Sequence, residues 1–373
     1  MGKIMTAYQN KTPLIITAGQ QTRAMILHEA YLTNRDETVL PRPWVKWAYQ
    51  PVRAQDVPAA IIRAYVIALQ PPSSPVYVSI PLDDWDQAAL GDAVVRTVSS
   101  RYAPDSDRIS LFAERIRKSK TPALVYGPEI DRSGGWDAGG TFAEQLQAPA
   151  FFPPLTDRIS FPETHPQFCG YLPMAIGPLS KRLRGHDLII VIGAPVFRYY
   201  PYVEGDYLPS GAELLQIVSD PADAGAAAVG DSLLSDARLA LEALIQLVPK
   251  NKARSLPPPL RVASKLPSVP NDPLTAREAF IVLSELRPEN VILVNESASN
   301  AEDVIRSWPT DRSPISPSQA AGWGAPAAIG IALAQKKTGR GRPVVAFIKD
   351  GSLQYSFQRL YSAGRHKRRR SNK

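Results

Sequence analysis

The sequence predicts an α/β protein built from parallel sheets flanked by helices, and three observations carry that expectation. Short apolar, β-branched runs of strand length recur along the chain and are buried on both faces by their composition. Segments of helical periodicity separate them. The runs end in Gly, Pro or Asp turns, most abruptly in AFIKDGSLQYS (346–356), where the apolar segment stops at Asp350-Gly351-Ser352. An Asp-Gly turn at the carboxyl end of a parallel strand is where open α/β sheets place ligands, and the Asp could hold a hard cation; an ordinary strand-ending turn uses the same residues.

The first region reads strand 13–19, helix 22–32, a proline-flanked turn 40–43, helix 55–70 and strand 76–81. A second region follows with strands at 122–126, 148–152, 187–192 and 213–218, and a closing helix at 236–247. Residues 248–273 hold seven prolines and no apolar periodicity, the mark of a linker. The last region reads helix 277–286, strand 291–294, helix 325–336 and strand 344–348. The expected domains are therefore 1–97, 105–247 and 274–373, with the linker between the last two. A chain of 373 residues accommodates two or three domains.

Composition narrows the function classes. The chain is 44% hydrophobic and 21% charged, with 36 prolines, so it folds and turns often. Its one cysteine, Cys169, excludes a disulfide framework and a cysteine-based zinc site, and the expectation is a reducing, cytoplasmic compartment. The longest strongly apolar stretch, 188–197, falls far short of the ~20 residues a spanning helix needs. The formal charge of +8 is concentrated: Arg365, Lys367, Arg368, Arg369, Arg370 and Lys373 lie in the last nine positions, leaving +2 for the rest. That describes a solvated, disordered tail on a nearly neutral body rather than a nucleic-acid surface.

Individual motifs are weaker. Gly193 to Pro195 after an apolar strand could face a nucleotide or form a structural turn; no Gly-x-Gly-x-x-Gly follows. Gly322-x-Gly324 opens a helix, as a close approach to a ligand or as a tight entry turn. His28, His165, His186 and His366 show no metal-ligand spacing. Thr275, three residues before Glu278 and ahead of an amphipathic helix, is a capping box.

Five stretches, PLIITAGQQTRAMI (13–26), LPRPWVKWAYQP (40–51), SSPVYVSIPLDDWD (73–86), GHDLIIVIGAPVFRY (185–199) and RPENVILVNES (287–297), resemble in order and spacing the benzoylformate decarboxylase family. The resemblance implies a thiamine-diphosphate enzyme of three α/β domains, which bind the pyrimidine, form a spacer and bind the diphosphate. It implies non-oxidative decarboxylation of an aromatic 2-keto acid to an aldehyde and carbon dioxide, with thiamine diphosphate and Mg2+ as cofactors and a homo-oligomer as the assembly. The family's Gly-Asp-Gly-Ser motif stands here as Lys349-Asp350-Gly351-Ser352. By that match Asp350 would hold the magnesium, and Ser299, Gly322, Gly351 and Ser352 would contact the cofactor.

Departures from the family are equally specific. The segment bearing the family's activating glutamate, its serine and one histidine has no counterpart, nor does the asparagine pair that closes the metal motif, so the first and third domains are expected to be incomplete. A second family histidine aligns at about Thr275, which cannot shuttle a proton near neutrality. Gln319-Ala320-Ala321 replaces residues that prop the cofactor, Ala298 replaces a hydroxyl residue, and 311–319 and 368–373 are unlike any expected element. No catalytic residue is assigned. Two expectations follow: a decarboxylase subunit whose missing segments are supplied by a separately encoded chain or lost from the sequence, or a non-catalytic remnant able to associate with partners; on either, this chain alone binds cofactor weakly or undetectably and does not turn over.

Overall fold

The computed structural model describes residues 2–251, 271–308 and 321–368. The chain divides into two compact units, Met1–Arg101 and Tyr102–Lys373. The expected linker lies largely, and the odd 311–319 segment wholly, outside the described residues.

The first unit comprises α1 (Gly2–Gln9), β1 (Leu14–Gln20), the one-turn α2 (Arg23–Ile26), β2 (Trp47–Tyr49), α3 (Val57–Leu69) and β3 (Pro75–Pro81). Its parallel sheet has the order β1-β3-β2, so β3 is central and every residue of it is buried. Ala60, Ala64 and Ala68, one helical turn apart on α3, bring that helix close to Val76, Val78 and Ile80. The Lys46 ammonium donates to the carbonyls of Ile67, Gln70 and Pro72 at 3.1, 2.7 and 3.2 Å, which closes the carboxyl end of α3. The helix expected over 22–32 is corrected to Arg23–Ile26. Arg23 is drawn to Asp83, Asp84 and the carbonyl of Pro51, and Glu29 and Leu32 take positive φ angles of 46° and 71° that a helix cannot continue through.

In the second unit, β4 (Pro122–Tyr126), β5 (Ala150–Phe152), β6 (Phe168–Tyr171), β7 (Leu188–Ile192), β8 (Glu213–Val218) and β9 (Asp231–Leu234) form one parallel sheet of order β6-β5-β4-β7-β8-β9. The helices around it are α4 (Ser106–Lys118), α5 (Glu129–Ser133), α6 (Trp136–Leu146), α7 (Ile176–Arg182), α8 (Pro221–Gly225) and α9 (Ala237–Leu247). Alternation on each strand splits the core. Leu124, Tyr126, Ile190 and Ile192 join Phe142, Phe152 and Leu244 on one face, while Ala123, Val125, Ile189 and Val191 meet Leu179 and Leu183 on the other. Asp105 and Asp236 cap α4 and α9 by accepting two backbone N–H groups each. The sequence reading overlooked β2, β6 and β9, which are three or four residues long and, for β6 and β9, lie at the sheet edges.

The last region holds α10 (Ala276–Glu285), β10 (Ile292–Glu296), α11 (Ala301–Ser307), α12 (Gly324–Lys337), β11 (Val344–Ile348), α13 (Asp350–Gln354) and α14 (Arg359–Arg368). β10 and β11 pair in parallel from Ile292↔Val344 to Glu296↔Ile348. Val291, Leu293, Val304 and Trp308 pack with Phe280, Val345 and Phe347, and the Trp308 indole N–H donates to the Phe280 carbonyl at 3.1 Å. The capping box forms: the Glu278 N–H donates to the Thr275 hydroxyl, and the Thr275 N–H to the Glu278 carboxylate at 2.8 Å. Hydrogen bonds from Thr275 and Asn271 hold the Glu278 carboxyl down to about 2. The compact unit Tyr102–Lys373 contains both 105–247 and 274–373, and Ile305 of α11 is buried in the same core cluster as β4 and β7. The tail expected to be disordered is helical through Arg368: α14 packs on α12, and Lys336 donates to the His366 carbonyl at 3.2 Å.

Candidate functional site

The carboxyl ends of β10 and β11 are neighbours in register, roughly 4.8 Å apart as paired strands are, so the segments that follow them leave the sheet side by side. After β11, Lys349 is extended (φ −62°, ψ 143°) and serves as the N-cap of α13, so Asp350 is the first helical residue and is exposed. The expected turn is therefore the first turn of a helix. Its leading N–H groups point out of the helix end, the arrangement that favours anions. A Cβ added to Gly351 would meet open space, so the chain's own packing does not demand glycine there. Ser352 is 3% exposed, and its hydroxyl has no hydrogen-bond partner among the described residues. Ser356, one turn on, is equally buried and equally unpartnered.

After β10, the Ser297 N–H and hydroxyl donate to Asn295 Oδ1 at 2.9 and 2.8 Å, which turns the chain into a short 3-10 segment, Ala298–Asn300. Ser299 is exposed on that segment. Both candidate serines thus follow carboxyl ends of the same sheet, and Ser352 is the buried one.

Gly322 stands against this helix turn. Its φ is +86°, and a Cβ there would lie 2.5 Å from Tyr355 Cβ and 3.1 Å from the Ser352 carbonyl. Its missing side chain is used for close packing on α13. The turn is held from the other side by a residue the sequence reading did not select. Glu296, last in β10 and 3% exposed, accepts the Gly322 N–H with one carboxylate oxygen and the Gly324 N–H with the other, at 2.8 Å for the latter. The only sequence signal was a carboxylate ending an apolar strand, VILVNES.

The other candidates resolve as structure. At the switch point of the six-stranded sheet, between β4 and β7, Gly127 abuts the Gly193 carbonyl, and a Cβ on Gly193 (φ +74°) would stand 2.9 Å from Glu129 Cβ. Glu129 fills this crevice and accepts the Ser219 N–H and hydroxyl at 2.8 and 2.9 Å. Burial pushes its carboxyl up to about 7, against the Ser219 hydrogen bonds and the charge of Arg132. Gly193 is a packing turn. Among the described residues no group of three or more His, Cys, Asp or Glu could hold a metal, so Asp350 is a single carboxylate. Among the same residues no helix is long and apolar enough to cross a membrane.

Known proteins resemble this chain over nearly its whole length. Residues 109–244 match the thiamine pyrophosphate enzyme central domain, and residues 307–369 the C-terminal TPP binding domain of such enzymes. A benzoylformate decarboxylase of Pseudomonas aeruginosa is 42% identical over 98% of this chain and 70% of its own length. Among solved structures, a thiamin diphosphate-dependent enzyme from Mycobacterium smegmatis superposes with a TM-score of 0.93 at 50% identity, over 98% of this chain and 71% of the other. The benzoylformate decarboxylase of Polynucleobacter necessarius superposes with a TM-score of 0.93 at 46% identity, over 97% and 68%. The chain therefore spans about 70% of the length of these proteins.

Proposed function

From a chain that belongs to the benzoylformate decarboxylase family of thiamine-diphosphate enzymes, we propose a function in the non-oxidative decarboxylation of an aromatic 2-keto acid, with this chain holding the diphosphate end of the cofactor. The observation that carries the reading is the buried, unpartnered Ser352 hydroxyl beside a glycine whose missing side chain leaves open space. A phosphate would satisfy the first and occupy the second. The residues fit the group: Ser352 and the first-turn N–H groups of α13 would hold the diphosphate, Ser299 would reach it from the end of β10, Gly322 would seat the helix turn, and Asp350 would take the magnesium. When bound, the cofactor supplies the nucleophilic carbon and electron sink that loss of carbon dioxide requires. No proton-transfer step is assigned to a residue of this chain. One carboxylate holds a metal weakly, so modest affinity is expected.

Calorimetric titration with thiamine diphosphate and magnesium, followed by an assay of carbon dioxide from phenylglyoxylate, tests the reading. Saturable, magnesium-dependent binding is expected. Binding without release is what a decarboxylase chain lacking proton-transfer residues gives, and absence of binding overturns the diphosphate site. Carbon dioxide release overturns a second reading, a non-catalytic association partner, which the exposed Phe357, Leu360 and Tyr361 favour. The same side chains support a homo-oligomer. A reducing, cytoplasmic setting is proposed from the lone Cys169, whose thiol burial pushes up to about 11.

A further inference from the structure

We infer that Glu296 is a positioning residue for the diphosphate end of the site, acting through the Gly322–Gly324 turn on the first turn of α13. Glu296 acts through the backbone of that turn and not on the ligand itself. Its two oxygens are each taken by a backbone N–H, those of Gly322 and Gly324, so its carboxylate spans the turn as a clamp. The clamped Gly322 has no room to move toward α13, because Tyr355 Cβ and the Ser352 carbonyl already stand at contact with its bare face. Gly324 is equally confined: a Cβ there would lie 2.6 Å from Glu296 Oε2. The chain of contact therefore runs from the end of β10, through the glycine turn, to the residue whose hydroxyl is buried without a partner. Charge-assisted hydrogen bonds from two backbone N–H donors to one carboxylate are short and directional, which suits a fixed support.

The chemistry also explains why the support is a carboxylate. The Gly324 N–H opens α12, where a helix leaves donors without intrahelical partners, the Gly322 N–H lies two residues before it, and a buried acceptor with two oxygens meets both at once. A glutamine has only one acceptor oxygen and must turn its own N–H2 toward the second donor. Glu296→Gln therefore breaks half the clamp with almost no change of shape, whereas Glu296→Asp keeps both acceptors and withdraws them by one methylene.

This inference rests on the functional reading only for its ligand, and the test separates the two. Hydrogen exchange is followed at 321–325 and 350–356 in the ligand-free chain. Titrations with thiamine diphosphate plus magnesium, and with inorganic pyrophosphate, run alongside. Both Glu296 variants should speed exchange in both segments and weaken binding of either ligand about tenfold, the worth of one charge-assisted hydrogen bond. Thr275→Ala removes a comparable helix cap on α10 and should leave both readouts at 350–356 unchanged. Faster exchange confined to 321–325, with 350–356 and ligand affinity as in the parent, overturns the inference and leaves Glu296 a cap of α12 alone. Should the parent chain bind neither ligand, the functional reading falls, and the exchange at 350–356 still decides the coupling. A Glu296→Gln chain that does not fold passes the decision to Glu296→Asp.

Discussion

The six-stranded sheet and the two-stranded sheet of the second unit use the same parallel grammar and differ in how far their strands are covered. Each residue of β4, β7 and β10 is buried, whereas every residue of β11 is only partly buried. Polar groups follow the same division. At the carboxyl edge of the large sheet Glu129 finds Ser219 and fills the crevice, while at the edge of the small one Ser352 and Ser356 are buried with nothing to bond. The contrast holds at these two carboxyl ends rather than across whole sheets, since Tyr199 beyond β7 also carries a buried hydroxyl with no partner among the described residues. A buried hydroxyl left unmatched at a strand end is open to a ligand.

The sharpest way to break this contrast is through the cores. Phe142, fully buried on α6, should cost about 3–5 kcal/mol when changed to Ala, read as a shift of the urea midpoint, and Phe347→Ala on half-exposed β11 should cost less than half as much. Equal losses would erase the distinction. Limited proteolysis sharpens the same point: residues 105–247 should survive as the resistant fragment, and early cutting between Pro122 and Val218 would count against it.

Next in size is the pH dependence of Glu129. Its folded-state pKa, about 7, lies above that of an unfolded glutamate, so the native state binds the proton more tightly. The stability it contributes is complete below about pH 4.5 and is lost as pH rises to 7, a change of roughly 3 kcal/mol. The difference in Tm between the parent and Glu129→Gln should therefore grow across that window in favour of the variant; a difference independent of pH would contradict the assignment.

Ser352→Ala gives a smaller effect of opposite sign. Removing a buried hydroxyl that has no partner should leave stability unchanged or raise it by up to about 1 kcal/mol, while thiamine diphosphate affinity falls. A clear loss of stability would mean that the hydroxyl is matched within the protein. Smallest is Thr275→Ala, expected to cost about 1 kcal/mol through the lost cap of α10 and measurable by thermal melting.

Much of the fold was legible because its causes are local. β4, β8 and β11 fall at 122–126, 213–218 and 344–348 as read, since an uninterrupted apolar run between turn residues has few other uses. The helix starts at Asp236 and Thr275 were legible for a similar reason: a capping side chain bonds to N–H groups two or three residues away. The same locality explains the misses. The helix begun at Arg23 ends after one turn, its first residue tied to Asp83 and Asp84 sixty residues on, and β9 is a short edge strand whose register depends on β8.

By itself the sequence determined that this is an α/β chain of parallel sheets, where its buried strands lie, and the Lys-Asp-Gly-Ser turn that carries its family resemblance. Periodicity and turn chemistry act over a few residues and are written in the chain. Only the tertiary structure decided which side chains meet across long separations: that Glu129 closes the crevice of the large sheet, that Ser352 is buried without a partner, and that Glu296 clamps a glycine turn 26 residues away. A hydrogen bond depends on distance and angle between two groups, and the composition of neither segment contains that geometry.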